Sequence, residues 1–468
     1  MDVTALLSHP SADSIVAYRG GRALRAQQFL DDAQQLAESL PPGRHLLNAC
    51  ADRYRFAVGL AASLMTGRVS LLPSTHTPEV IRHLLQFAPD AFCLTDDEGC
   101  TIDLPRIRYS DAMAAVDSQV RPPGTFRVPQ IPDDQLAAIV FTSGSTGTPL
   151  PYRKTWGRLA GCVRAEAGEL KIADGRGFTL IGTVPPQHMY GFESTVLVAL
   201  QSANAFTAER PFFPADIALA VAEAPRRRAL ITTPVHLRTL MAAGLPWPAL
   251  DLIVSATAPL SPELAREAEI RSGAPLLEIY GSTETGQIAI RRTGESEAFR
   301  LFPDVRLRAD NGQTYAYGGH VEQMTPMCDV IELSGEREFT LHGRTADLVN
   351  VAGKRSSFGY LNAQLNAIPG VQDGAFFLRD RDHAGATGIA RLAAVAVAPG
   401  LSAASLLENL RERIDPVFLP RPLLLVNRLP RNATGKLPHQ ALEALVDQHL
   451  STLTTESGAS KRSPHGNP

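Results

Sequence analysis

The sequence is poor in cysteine and has little excess charge of either sign. Its five cysteines (Cys50, Cys93, Cys100, Cys162 and Cys328) are scattered and odd in number, and no pair has the spacing of a zinc site. This pattern indicates reduced structural thiols, which are typical of a cytoplasmic protein. The formal net charge of −3 argues against nonspecific attraction to nucleic acid or to an anionic membrane.

Long hydrophobic runs are also lacking. No apolar run reaches membrane-spanning length and no charged-then-apolar segment opens the chain, so we expect a cytoplasmic protein without integral membrane contact. The chain has 468 residues, which indicates more than one ordinary domain. Hydrophobic residues make up 44% of them, which indicates a globular chain. Lysine is scarce, because only Lys154, Lys171, Lys354, Lys436 and Lys461 occur among 45 Lys plus Arg. A lysine within a motif therefore suggests a need for its compact charge.

Alternating apolar and helical patterns predict a layered α/β fold. A strand at His45–Ala49, a helix at Tyr54–Met65 and a strand at Val69–Leu72 form a βαβ unit, and the alternation continues to Tyr280. Short glycine-rich runs over residues 287–342 predict added antiparallel strands. We predict a large N-terminal α/β domain over residues 1–343, a small mobile C-terminal α+β domain over 344–452, and a disordered tail over 453–468.

The first candidate site is the loop that follows the apolar strand 136–141. It consists of Thr142, Ser143, Gly144, Ser145, Thr146 and Gly147. Its glycines let backbone N–H groups approach a polyphosphate, and its hydroxyls add further donors. The loop lacks the Gly-Lys-Ser/Thr ending of a Walker loop. Taken alone, such a loop is more often an ordinary turn.

The second candidate follows another apolar strand and runs from Glu278 to Thr285. Its tip lies at the carboxyl end of that strand, where open α/β sheets bind ligands. The Glu284 carboxylate beside hydroxyls suits Mg²⁺ held against phosphate. The alternative is a plain turn in which Ser282 and Thr283 cap the backbone.

Two further motifs lie nearer the C-terminus. Asp329 follows Cys328 and precedes Gly343-Arg344, and such an Asp and Arg suit a ribose diol and a phosphate. The segment from Leu429 to Pro438 presents Lys436 in a tight loop before the last helix. Taken singly, these residues are more often surface turns, ion pairs or a solvated lysine.

In this order and at these separations, the four motifs resemble the adenylate-forming superfamily of acyl-CoA synthetases, peptide-synthetase adenylation domains and luciferases. The resemblance covers roughly residues 15–450. Within the superfamily the chain is most similar to the AMP-ligases of xanthomonadin and aryl-polyene pigment clusters. This narrower resemblance rests on the shortness of the chain and on the segment Pro149–Trp156.

The resemblance implies an AMP-forming acid–thiol ligase that uses ATP and Mg²⁺. Catalysis would fall to Lys436, Glu284, Thr283 and His188, with Glu284 holding the metal, Thr283 contacting the α-phosphate and Lys436 bridging the carboxylate and the α-phosphate. ATP would be held by Thr142–Gly147, Ala258, Tyr280, Gly281, Ser282, Asp329 and Arg344. The acid would meet His188, Tyr190, Phe192, Thr257 and Gly281. For His188, a loop histidine bonded to backbone is the alternative, and Tyr190 and Phe192 could equally be core residues.

The chain departs from the superfamily pattern at three places. The phosphate loop continues Pro149-Leu150 where the superfamily has Pro-Lys, so its lysine is missing or displaced to Lys154. Thr257 stands where the superfamily has a small glycine. The implied hinge position is Ala346, where the superfamily usually has Asp or Lys. The C-terminal domain would swing about it to present Gly353 to a pantetheine thiol.

The acid implied is a hydroxybenzoate-type aromatic acid, and the implied acceptor is a phosphopantetheinyl acyl carrier protein, with coenzyme A second. A fatty or hydroxy-fatty acid is the alternative substrate. A different class, a non-catalytic adenine-nucleotide-binding protein, is disfavoured because a mere binder has no need of Lys436. No Gly-x-Ser-x-Gly elbow supports a hydrolase. Both a monomer and a homodimer remain open.

Overall fold

A computed structural model describes residues 2–73, 75–110, 126–143, 149–175, 177–225, 227–310, 313–344, 348–351, 354–378, 392–432 and 435–459. The chain forms two compact units, Met1–Met327 with Leu333–Phe339, and Cys328–Glu332 with Thr340–Pro468. The domain boundary between residues 343 and 344 stays a prediction. No described helix combines the length and apolar character needed to cross a membrane.

The first unit contains twenty of the described strands. They are β1 (Val3–Ala5), β2 (Ile15–Arg19), β3 (Arg22–Arg25), β4 (His45–Asn48), β5 (Val69–Leu72), β6 (Phe92–Thr95), β7 (Arg106–Arg108), β8 (Gln130–Pro132), β9 (Leu136–Ser143), β10 (Pro149–Thr155), β11 (Thr179–Gly182), β12 (Ala205–Thr207), β13 (Arg228–Thr232), β14 (Leu252–Ser255), β15 (Leu276–Ser282), β16 (Gly286–Arg291), β17 (Ala298–Leu301), β18 (Arg306–Asp310), β19 (Gln313–Gly318) and β20 (Val321–Pro326).

The helices of the first unit alternate with these strands. They are α1 (Ala26–Ser39), α2 (Arg53–Met65), α3 (Pro78–Phe87), α4 (Trp156–Glu169), α5 (Met189–Gly191), a π-helix (Phe192–Leu197), α6 (Val198–Gln201), α7 (Pro214–Glu223), α8 (Pro234–Ala242) and α9 (Pro262–Ser272). Helix α9 shows how the sequence sets these ends, because the Ser261 side chain accepts from the Leu264 N–H and Pro262 opens the helix.

Two mainly parallel sheets make up most of the first unit, which also contains the β1-β8 pair and the antiparallel β18-β19-β20 sheet. One has the order β10-β9-β5-β4-β6-β7, and only the β9–β10 pair is antiparallel. The other runs β17-β16-β15-β14-β13-β11-β12-β2-β3 and is parallel from β15 to β2. Its core packs Ile181, Leu230 and Ile253 against α7, α8 and α9. The predicted α/β fold class and the βαβ unit over residues 45–72 are confirmed.

The second unit is built around a small sheet. Strands β21 (Asp329–Leu333) and β22 (Glu338–Arg344) each contain a point where the chain passes from one unit to the other. The remaining elements are β23 (Leu348–Val351), β24 (Lys354–Ser357), α10 (Phe358–Asn366), β25 (Asp373–Leu378), β26 (Leu392–Val397), α11 (Ala403–Arg411), a 3₁₀ turn (Pro416–Phe418), β27 (Leu423–Leu425) and α12 (His439–Ala459). Helices α10 and α11 cover one face of the β25-β26-β27 sheet and α12 covers the other.

Two segments differ from the sequence-based expectation. Helix α12 continues to Ala459, into the stretch from 453 that was expected to be disordered, since no proline or glycine interrupts it before Gly458. Residues 460–468 lie outside the described residues. Strand β10 was not predicted, because Pro149 and Pro151 argue against a strand. They are tolerated because β10 is the edge strand of its sheet, where a missing N–H can face solvent.

Candidate functional site

The carboxyl ends of four neighbouring parallel strands bring several predicted site residues to one edge of the second sheet. The register aligns Gly182 of β11 with Ile231 of β13, Ile231 with Val254 of β14, and Ser255 with Glu278 of β15. The chain leaves this edge toward His188, Thr257 and the turn after Tyr280. In parallel α/β sheets such an edge is where ligands bind.

The segment after β11 carries His188, Tyr190 and Phe192. His188 caps α5, and its Nδ1 accepts the Tyr190 N–H at 3.3 Å, so the backbone-bonded alternative for this histidine is present in the structure. Tyr190 is buried and its hydroxyl donates to the Val254 carbonyl at 3.0 Å. Phe192 is wholly buried and its ring lies 6.1 Å from that of Phe56. The structure therefore places Phe192 in the core.

The segment after β14 carries Thr257 and Ala258, both half-buried. Thr257 has φ +81°, a conformation that strains a β-branched residue and is readily adopted by glycine. A glycine, the residue of the superfamily pattern, would adopt this conformation without strain.

Replacing Thr257 by glycine is expected to raise the free energy of unfolding by about 1 kcal/mol, because the left-handed strain is relieved. Ala258→Gly, at a neighbouring residue without positive φ, is the matched control and should lower it by about 0.5–1 kcal/mol. Urea unfolding of both variants measures the difference. Destabilisation by Thr257→Gly equal to that of the control would show that the backbone stores no strain there.

Ser282 ends β15, and the turn that follows it carries Thr283 and Glu284. The Ser282 N–H donates to Thr285 Oγ1 at 3.2 Å, and the Thr285 N–H donates to Ser282 Oγ at 3.3 Å. Ser282 therefore does cap the backbone, as the plain-turn alternative expects. Gly281 is required, since a Cβ there would lie 2.3 Å from the Gly286 carbonyl oxygen. These contacts hold Thr283 and Glu284 at the tip of the turn.

The Glu284 carboxylate fits a magnesium ligand. No hydrogen bond or ion pair among the described residues engages it, and those residues hold no cluster of three or more His, Cys, Asp or Glu arranged for a metal ion. Mg²⁺ is commonly held by one or two carboxylates together with substrate phosphates. A single carboxylate beside a phosphate site therefore suits this cation.

Tyr280 lies on an aromatic platform. Its ring centroid is 5.5 Å from that of Phe299 and 5.4 Å from that of Phe339, and the Arg291 guanidinium lies 4.2 Å from the Phe299 centroid. Arg291 also donates to the buried Glu278 carboxylate at 2.7 Å. Burial raises the pKa of Glu278, and Arg291 opposes that rise. Arg291 thus connects the strand that ends in the turn to the platform under Tyr280.

A buried polar cluster, formed by Cys162, Glu166, Glu193, Ser194 and Gln287, lies behind the turn. Cys162 Sγ lies 3.6 Å from the Gln287 carbonyl oxygen. With the Gln287 amide oriented to satisfy both sides, its nitrogen donates to Glu166 Oε2 at 2.7 Å and its oxygen accepts from Ser194 Oγ at 2.6 Å. Burial raises the pKa of Glu166 well above its usual value. Burial also raises the pKa of Glu193 to about 7, and this rise is opposed by Lys154.

The protein is expected to lose stability as pH rises through the titration of Glu193. Folding raises the pKa of this carboxyl from 4.5 to about 7, so its contribution is fully present below pH 4.5 and lost as the pH rises through 7. The slope is at most about 1.4 kcal/mol per pH unit. Glu193→Gln removes this slope, so denaturant unfolding should favour the variant more at pH 8 than at pH 5. An equal difference at both pH values would contradict the prediction.

The predicted phosphate loop is only partly described. Thr142 and Ser143 end β9, and Gly144, Ser145, Thr146 and Gly147 lie outside the described residues. Lys154, the possible displaced lysine, lies on β10 and its Nζ donates to the Glu284 carbonyl at 3.1 Å.

In the second unit, Asp329 opens β21 and Arg344 ends β22, whereas Ala346 lies outside the described residues. Lys436 is exposed and ends a tight loop in which its N–H donates to Asn432 Oδ1 at 2.9 Å. Arg431 anchors this loop by pairing with Asp373 at 2.6 Å and donating to the Gly435 carbonyl at 2.8 Å.

Sequence reasoning missed the cluster behind the turn and the role of Arg291. The signal for the cluster was an acidic residue inside an apolar helical run, as at Glu193 between Phe192 and Val196. Arg291 offered no signal, because its pairing with Glu278 depends on the register of β15 and β16.

Comparisons with known proteins give the class. The family model of AMP-binding enzymes matches residues 5–314. A 4-coumarate–CoA ligase of Rhodobacter capsulatus is 31% identical over 303 residues, 64% of this chain and 74% of the relative. An L-proline–[L-prolyl-carrier protein] ligase of Streptomyces coelicolor is 22% identical over 371 residues, 67% of each chain.

Solved structures show the same fold. The o-succinylbenzoate coenzyme A synthetase of Bacillus subtilis, in complex with ATP and a magnesium ion, has a TM-score of 0.76 at 18% identity and covers 92% of this chain and 96% of its own. The chain belongs to the AMP-binding enzyme family, within the adenylate-forming superfamily. It is an AMP-forming acid–thiol ligase that uses ATP with Mg²⁺.

Proposed function

We propose that the enzyme activates a small aromatic acid of the hydroxybenzoate type and transfers it to the phosphopantetheine thiol of an acyl carrier protein. The observation that carries the proposal is the meeting of His188, Thr257 and the Thr283–Glu284 turn at one strand edge of the second sheet. Such an edge can hold an acid beside a nucleotide.

In the first half-reaction, a carboxylate oxygen of the acid attacks the α-phosphorus of ATP and the bond to pyrophosphate breaks. Thr283 and the 142–147 loop bind the phosphates, and Lys436 offsets the negative charge that grows at the α-phosphate. Glu284 would hold Mg²⁺, which would supply positive charge against the phosphates. Tyr280, with Ala258, Gly281 and Ser282, binds adenine.

In the second half-reaction, a pantetheine thiol attacks the acyl carbon, loses its proton and displaces AMP. We propose that Asp329 and Arg344 bind the ribose through both steps. The C-terminal domain would turn about Ala346 between them, which removes Lys436 after adenylation.

The aromatic acid is supported by the buried wall at Met189 and Tyr190. The Tyr190 ring is held in this wall by the hydrogen bond that its hydroxyl donates to the Val254 carbonyl. The name of the 4-coumarate ligase agrees with an aromatic substrate, and that of the prolyl-carrier ligase with a carrier acceptor. The resemblance of Pro149–Trp156 to pigment-cluster ligases favours the same aromatic substrate and the same carrier acceptor. A fatty or hydroxy-fatty acid is the alternative.

The test is pyrophosphate release from Mg·ATP across benzoate, hydroxybenzoates, 4-coumarate and fatty and 3-hydroxy-fatty acids. Stimulation by a hydroxybenzoate supports the proposal, and stimulation only by the aliphatic acids favours the alternative. Adding a phosphopantetheinylated carrier protein or coenzyme A then identifies the acceptor. Transfer to coenzyme A but never to a carrier would overturn the proposed acceptor.

A further inference from the structure

Lys154 connects the two elements that are proposed to hold the phosphates of ATP. It lies on β10, which leaves the 144–148 loop, whereas its Nζ donates to the carbonyl of Glu284 on the β15–β16 turn. The two residues are 130 positions apart in the chain. This contact joins β10, in one sheet of the first unit, to the turn that follows β15 in the other sheet of the same unit.

A bulge in β9, the partner strand of β10, lies directly beside Lys154. Lys154 pairs with Ala138 and Thr155 with Leu136, so the register shifts between them. Ala137 is therefore the extra residue, and a bulge of this kind bends β9 and increases the local twist of the pair. Lys154 is half-buried, whereas Arg153, its neighbour, is exposed.

The charge of Lys154 also acts on the groups beneath the turn. It lowers the pKa of buried Glu193, against the larger effect of burial, and adds to the lowering of the pKa of His320. A Cβ added at Gly286, the residue that ends the turn, would lie 3.3 Å from Glu193 Oε1 and 3.2 Å from Cys162 Sγ. The turn therefore packs against the buried polar cluster, which contains the Glu193 carboxyl whose pKa Lys154 lowers.

We propose that Lys154 is a positioning residue that fixes the Thr283–Glu284 turn through its hydrogen bond to the Glu284 carbonyl, and so sets the geometry in which Mg·ATP is bound. This inference rests on the proposed function, because it takes the turn as the metal and phosphate site. It gives a role to a lysine that stands several residues beyond the usual phosphate-loop position. The ammonium acts through the turn.

The test compares Lys154→Met, which keeps the length and apolar stem, with Lys154→Arg, which keeps a charged donor. Arg153→Met on the same strand is the control. Calorimetry measures binding of Mg·ATP and of ATP in EDTA, and steady-state kinetics measures KM for ATP and for the acid. Thermal unfolding reports on the fold.

Lys154→Met is expected to weaken Mg·ATP binding and raise KM for ATP by about tenfold, the effect of one charge-assisted hydrogen bond. Binding of ATP in EDTA and KM for the acid should change less than about twofold, Lys154→Arg should recover most of the loss, and Arg153→Met should match the wild type. Equal losses with and without Mg²⁺, or a lower unfolding temperature with unchanged Mg·ATP binding, would overturn the inference.

Failure of the proposed function can be distinguished from failure of the inference about Lys154. A wild type that binds Mg·ATP but releases no pyrophosphate with any acid contradicts the ligase proposal, and the binding comparison still decides the role of Lys154. If Lys154→Met does not fold, Lys154→Arg decides the role of Lys154. An arginine variant that folds but loses as much affinity for ATP in EDTA as for Mg·ATP would overturn that role.

Discussion

Replacing Lys436 by alanine is expected to lower the rate of acid-dependent pyrophosphate release by about a hundred- to a thousand-fold. The reason is the loss of the cation that is proposed to offset the negative charge growing at the α-phosphate. The loop should keep its shape, because Arg431 holds it to Asp373 and Asn432 bonds the Lys436 backbone. Pyrophosphate release at saturating ATP and acid measures the effect.

Two comparisons make this result specific. Thioester formation from a preformed acyl-adenylate should change less than about threefold in Lys436→Ala, since no pyrophosphate leaves in that step. Lys171→Ala, at an exposed lysine of the first unit, should match the wild type throughout. A Lys436→Ala enzyme that retains the wild-type pyrophosphate rate would remove this lysine from the mechanism.

Replacing Arg291 by methionine is expected to lower the free energy of unfolding by about 3 kcal/mol and to raise KM for ATP. The Glu278 carboxylate is buried and would lose its cationic partner. Among the described residues it would keep the Thr293 hydroxyl at 2.6 Å and the Leu260 N–H at 3.3 Å. The Phe299 ring under Tyr280 would lose its guanidinium contact. Denaturant unfolding and ATP kinetics measure the two effects.

The neighbouring Arg292 supplies a matched control. It pairs with Glu269 at 2.8 Å but is 39% exposed, so Arg292→Met should cost no more than about 1 kcal/mol. The double variant Glu278→Gln with Arg291→Met should be less destabilised than Arg291→Met alone, because no uncompensated charge stays buried. Equal costs for the two single arginine variants would show that Arg291 does not support a buried charge.

The motifs and the α/β alternation could be predicted because they depend on neighbouring residues. Strand β9 begins as an apolar run before Thr142, and Ser261 with Pro262 marks the start of α9 without reference to the rest of the chain. The assignment of the candidate residues to ATP and acid stays a prediction.

The missed features depend on contacts distant in sequence. Strand propensity does not predict β10 because the strand contains two prolines, which are tolerated only because β10 lies at the sheet edge. The contact from Lys154 to Glu284 joins residues that no local pattern relates. Thr257 appeared only as a departure from a resemblance, and its positive φ gives that departure a physical cause.

The prolines of β10 have a consequence for the protein at high concentration. An exposed sheet edge can recruit a strand from another molecule and so start aggregation. Pro149 and Pro151 remove two N–H donors from this edge strand, and Arg153 adds an exposed charge. We therefore expect this edge to resist intermolecular strand pairing. This would keep β10, and the proposed phosphate loop that precedes it, accessible in a crowded solution.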